Sequence, residues 1–153
     1  MTAATSIDSI LTVRRCIRIN AAPERVWREF ETFDAMSRWW GTGHRLVSYE
    51  PRVGGEIEME VDVDGALQRF GGRILVFDHA QELTFEDNWS GPMAWNVPLF
   101  MTLRLTPVAG GTIVELIQHG FERLGDQAAE LHRGLEGGWT VRQLAALREI
   151  VEA

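Results

Sequence analysis

Apolar and polar residues follow two distinct periods along this chain. Residues 10–19, ILTVRRCIRI, are rich in β-branched side chains and predict a first strand. Asn20-Ala-Ala-Pro23 then leads into a helix, with Pro23 in the first turn. Val26, Trp27, Phe30 and Phe33 recur at helical spacing and predict its buried stripe. Asp34 is a candidate cap for a second short helix running through Trp39 and Trp40 and stopping at Gly41 and Gly43.

From there to about residue 121 the pattern is strand-like. Leu46–Pro51 reads as one strand. In Glu56–Val63, Ile57, Met59, Val61 and Val63 alternate with Glu56, Glu58, Glu60 and Asp62, so one face is apolar and the other acidic. The acidic stripe reads as a solvated face that discourages edge pairing. Asp64-Gly65 is a hairpin turn. Leu67–Asp78 follows, and Gly71-Gly72 predicts a bulge or bend. Glu82–Trp89 is next, then a loop over Ser90–Pro98. Leu99–Thr106 and Thr112–His119 flank a Gly110-Gly111 turn.

After Asp126, a candidate cap, the period changes to helical, with Leu131, Leu135, Trp139, Leu144, Leu147 and Val151 on the stripe. A helix of about 25 residues would be roughly 38 Å long, enough to lie across a whole sheet. Gly134, Gly137 and Gly138 fall inside it, each costing about 1 kcal/mol relative to Ala. Close packing, a kink over a cavity, or a break between two helices would each account for them. The expected fold is α+β. A curved antiparallel sheet wraps a long C-terminal helix, and two short helices follow the first strand.

Length and composition narrow the function. The chain has 153 residues, read as one domain over 1–153. A chain of this size buries roughly 70% of its unfolded surface and needs no disulfide or structural metal. There are 22 acidic and 15 basic residues, a net charge of -7, and every basic residue is Arg. Such a balance lacks the footprint for nucleic acid, and the absence of Lys excludes Schiff-base chemistry. No apolar run is long enough to span a membrane, and the N-terminus lacks the features of a signal peptide. Cys16 is the one cysteine, read as a small core filler rather than a nucleophile. A cytoplasmic location is expected. The four His residues show no metal-ligand spacing, so neither metal nor cofactor is expected.

Four segments resemble the Activator of Hsp90 ATPase homologue 1-like proteins of the START-like, or SRPBCC, superfamily. They are AAPERVWREFETFDAMSRWWG (21–41), PRVGGEIEMEV (51–61), GGTIVELIQHGF (110–121) and GGWTVRQLAAL (137–147). The resemblance implies a helix-grip (START-like) fold with an apolar cavity between sheet and long helix. Members of the superfamily include lipid carriers, hormone receptors, polyketide cyclases and an Hsp90 co-chaperone domain, so fold alone does not select a function. The family often carries His where this chain has Gln118; His119, one residue on, would face the other way.

Six Trp and seven Phe against one Tyr call for an apolar wall or a Trp-rich core. Trp39 and Trp40 point about 100° apart on a helix, so both should not face one core; one is expected at a cavity mouth. Met59, Met101, Trp89 and Trp139 are expected to face inward, and Met suits irregular guests. Trp95 is a lid candidate between Pro92 and Pro98, and Leu135 shares the helical stripe. Gln118 is a candidate for orienting a ligand, because a buried amide must be hydrogen-bonded. Alternation from Leu83 and Phe85 turns Asp87 inward, where burial would raise its pKa and suit it to acid or base work. The alternative is an Asp-Asn turn at an early strand end.

These readings favour a protein that holds a small hydrophobic or aromatic molecule. A cyclase- or hydrolase-like enzyme using Asp87 is the alternative. A chaperone partner is the third reading, with less support because the first strand begins near residue 10 and leaves no room for an additional N-terminal domain. A homodimer is open.

Overall fold

Residues 11–153 are described by a computed structural model. Seven antiparallel strands form one open sheet in the order β1-β7-β6-β5-β4-β3-β2. They are β1 (Val13–Ile19), β2 (Arg45–Tyr49), β3 (Glu56–Val63), β4 (Ala66–Asp78), β5 (Glu82–Trp89), β6 (Leu99–Val108) and β7 (Gly111–His119). Two short helices, α1 (Pro23–Trp27) and α2 (Phe33–Trp40), follow β1, and α3 (Ala128–Gly138) and α4 (Arg142–Glu152) end the chain. This is the expected helix-grip arrangement, with the long C-terminal helix bent.

Local chemistry explains most of these boundaries. Pro23 opens α1, which lasts five residues before tightening into a 3-10 turn over Arg28–Phe30. That tightening changes the predicted stripe: Val26, Trp27 and Phe30 are buried, but Phe33 is exposed at the start of α2. The cap of α2 is Thr32, not Asp34; its hydroxyl accepts from the Ala35 N–H at 3.0 Å. Asp64 and Gly65, both at positive φ, make the two-residue β3–β4 turn.

Gly71-Gly72 does not form a bulge. Pairing with β3 runs through both residues in register, and the register shift on β4 lies between Ile74 and Val76. The glycines serve close approach instead. A Cβ on Gly71, which sits at φ +136°, would lie 2.1 Å from the Ile57 carbonyl oxygen, and one on Gly72 2.3 Å from that of Glu86.

The glycines of the last helix have a different explanation. A Cβ on Gly134, Gly137 or Gly138 would meet nothing within 4 Å, so close packing is not their role. The helix they weaken stops at Gly138, and Trp139 is extended (φ -96°, ψ 126°). Thr140 Oγ1 then accepts from the Arg142 N–H at 3.1 Å, and α4 begins.

The core lies between the sheet and the helices. Leu83, Phe85, Met101, Leu103, Val114 and Leu116 on the sheet face Leu144, Leu147 and Val151 of α4. Trp39 and Trp40 are both fully buried, contrary to the helical-wheel expectation, because α2 is covered on two sides. The Trp39 indole packs on Phe30 and donates to the Glu29 carbonyl at 3.0 Å. Trp40 turns the other way, stacking on Trp139 at 5.4 Å. Cys16 is exposed rather than core, since Val13, Arg15, Ile17 and Ile19 take the inward positions of β1. The acidic face of β3 is laced by Arg45–Glu60, Arg69–Glu60 and Arg69–Glu58 ion pairs. Among the described residues no helix is long and apolar enough to cross a membrane.

Candidate functional site

The break between α3 and α4 faces the sheet across a cavity of about 200 Å³. The sheet contributes Val61 from β3, Phe70 from β4, Asp87 and Trp89 from β5, and Gln118 from β7. Opposite them stand Leu135 and Gly138 of α3, Trp139 at the break, and Arg142 and Gln143 of α4. Gly43 and His44, after α2, close one side, and Trp95 closes another. A second, more open groove continues outward past Trp89, Trp95 and Leu135, along Leu131 and Gly134 of α3.

Register explains the sheet wall. Phe70 pairs with Trp89 across β4 and β5, and their rings are 5.2 Å apart. Asp87 keeps the alternation of Leu83 and Phe85, because β5 runs unbroken to Trp89. Gln118 shares a face with Val114 and Leu116, and His119 turns away, bonded to Thr102 at 3.0 Å and packed near Phe100. Trp95 is held by Asn88, whose side chain accepts from the Trp95 N–H at 2.9 Å and donates to its carbonyl at 3.2 Å. The loop carrying Trp95 is thus anchored to the end of β5.

Of the residues singled out from sequence, Asp87, Trp89, Trp95, Gln118, Leu135 and Trp139 come together around this cavity. Trp39, Trp40, Met59 and Met101 do not line it; all four are fully buried core residues. Trp40 backs Trp139 from behind, and Met59 and Met101 pack inward on β3 and β6.

Sequence reasoning missed His44, Val61, Phe70, Arg142 and Gln143. Gln143 had a readable signal. It lies four residues after Trp139 and four before Leu147, a polar residue in an otherwise apolar row. The other polar arrivals depend on a turn meeting a helix far along the chain. Gln143 Nε2 donates to the Thr42 carbonyl at 2.9 Å and ties that turn to α4.

The site is electrostatically unusual. Asp87 is 3% exposed, and burial pushes its carboxyl up to about 6, while the hydrogen bond from Gln118 Nε2 at 2.9 Å pulls the other way. Burial lowers His44 to about 4, and the Arg142 charge adds to the effect, so the imidazole is neutral near pH 7. The buried side-chain atoms without a hydrogen-bond partner among the described residues are Trp40 Nε1, His44 Nε2, Gln118 Oε1 and Gln143 Oε1. Three of those four residues line this one cavity. Buried polar atoms are ordinarily satisfied, so their concentration around one cavity sets it apart from the rest of the interior.

A model of the family described as Activator of Hsp90 ATPase homolog 1-like protein matches residues 20–152. No curated protein matches the chain as a relative. Among solved structures, a Chromobacterium violaceum protein is 25% identical, with a TM-score of 0.65 over 93% of this chain and 98% of that one. An Arthrobacter aurescens protein is 21% identical, with a TM-score of 0.71 over 94% of this chain and 87% of that one. The Aha1 dimer from Colwellia psychrerythraea is 17% identical, with a TM-score of 0.60 over 94% of this chain and 97% of that one. The last two likenesses speak to the fold alone.

Proposed function

Because the chain belongs to the Activator of Hsp90 ATPase homolog 1-like family, whose name fixes no ligand, we propose from the site itself that it binds a small aromatic molecule. The guest would sit in the cavity between the sheet and the α3–α4 break. The observation that carries this reading is the lining: Phe70, Trp89, Trp95 and Trp139 surround the same void that orphans the polar atoms of three residues. Flat walls with few convergent polar groups are the usual make-up of a small-molecule site.

Size selects among guests. An engineered apolar cavity of about 150 Å³ holds benzene, so about 200 Å³ suits one substituted ring. Sterols and long acyl chains would need the outer groove as well. A buried ring removes roughly 150–250 Å² from water. At about 25 cal/mol per Å² that is about 4–6 kcal/mol, a Kd from roughly 1 mM down to tens of micromolar before polar contacts and association costs.

Trp139→Leu tests the reading, because Trp139 lines the void and caps no hydrogen-bond network. Titration with monocyclic aromatics should saturate in the wild type and weaken by about tenfold in a variant that still melts cooperatively. Equal affinity in both proteins would remove the cavity from the account.

A further inference from the structure

The polar atoms of the cavity define its guest more narrowly than the walls do. Gln143 donates its Nε2 to a backbone carbonyl, which can only accept, so the side chain's orientation is settled. Its Oε1 is left as a buried acceptor with no donor. Gln118 donates its Nε2 to the Asp87 carboxylate, and its Oε1 is left in the same condition. His44 Nε2 is also buried with no partner among the described residues, on a ring that burial keeps neutral near pH 7. The lining therefore offers acceptors that lack donors.

Desolvation disfavours charged guests, because taking an ion out of water costs several kcal/mol. The lining holds one group of each sign, Asp87 and an Arg142 that makes no ion pair among the described residues, so a guest of either charge is repelled by one as it is attracted by the other. An acceptor-only anion would also face the unpartnered lone pairs. A plain hydrocarbon would leave the amide oxygens unpaired, and burying unpaired polar atoms is costly. What remains is a neutral ring that donates.

Resting on the ligand-binding reading above, we propose that the guest is a hydroxylated single ring, a phenol or dihydroxybenzene. Its hydroxyl protons would go to the unpartnered carbonyl oxygens of Gln118 and Gln143. The ring would lie among Trp89, Trp95 and Trp139.

The experiment is a calorimetric titration of the full chain at pH 7 with phenol, 1,2-dihydroxybenzene, anisole, toluene, benzoate and benzylamine. The expected result is at least tenfold tighter binding of a hydroxylated ring than of toluene or anisole. Gln143→Leu and Gln118→Leu should lose that preference while binding toluene no worse than wild type, which also shows that they fold. Equal affinity for phenol, anisole and toluene would overturn this inference and leave the apolar cavity standing. Tighter binding of benzoate or benzylamine would overturn it in favour of a charged guest. No binding of any ring would overturn both the inference and the reading beneath it.

Discussion

Asp87 and His44 are held on opposite sides of their ordinary ionisation by the same cause, burial. Asp87 rises from 3.8 to about 6 and His44 falls from 6.5 to about 4. Each shift corresponds to about 3 kcal/mol. The signs differ. The folded state favours protonated Asp87, so that residue's cost is absent below about pH 4 and is fully developed above about pH 6. The folded state favours neutral His44, whose cost grows as pH falls from about 6.5 to about 4. Asp87→Asn should therefore stabilise the protein at pH 7–8, by on the order of 3 kcal/mol at most and seen as a raised melting temperature, and the gain should shrink as pH falls from 6 to 4. A melting series across that window checks it; a pH-independent effect would contradict the burial of the carboxylate. Asp87 and Gln118 were legible in the sequence, since strand alternation alone turns them inward. His44 and Arg142 were not, because no local period reports that residues near 43 meet residues near 142.

Among the elements, the two kinds of glycine have opposite roles. Gly71 lies in β4 at a φ that side chains rarely adopt, with the Ile57 backbone against it. Gly134 lies in α3 with open space where a Cβ would be. Gly134→Ala should stabilise the protein by up to about 1 kcal/mol. Gly71→Ala should destabilise it by about 1–3 kcal/mol for the backbone conformation alone, with more from the clash. Paired thermal melts, at about 2–4 °C per kcal/mol for a chain of this size, resolve the two. A stabilised Gly71→Ala would refute the close approach of β3 and β4. The strands were readable because alternation and turn residues agreed; β3 and β5 have the bounds the pattern predicts. The end helices were harder. Apolar period persists through Trp139 although the backbone is extended there, so the stripe spans a break that the period cannot register. The glycines preceding the break were the available signal, and they fit more than one cause.

On the scale of the whole molecule, the cavity forms where three separate parts of the chain converge. The sheet supplies one wall, the α3–α4 break another, and the turn after α2 the side. The net charge of -7 is spread over outer faces such as β3, where exposed ion pairs contribute little to stability. The proposed binding is confined to a small interior volume lined by Phe70, Trp89, Trp95 and Trp139. The family match over residues 20–152 supplies the frame, and the side chains at the break are the proposed source of specificity. The six tryptophans make this claim directly testable. Their indole N–H resonances report separately, and Trp89, Trp95 and Trp139 line the cavity whereas Trp27 and Trp39 lie elsewhere in the core. The measurement is a phenol titration followed by the indole N–H signals of 15N-labelled protein. Saturable shifts are expected at Trp89, Trp95 and Trp139, with Trp27 and Trp39 stationary. Shifts that never saturate, or that are as large at Trp27 and Trp39 as at the cavity, would contradict this claim.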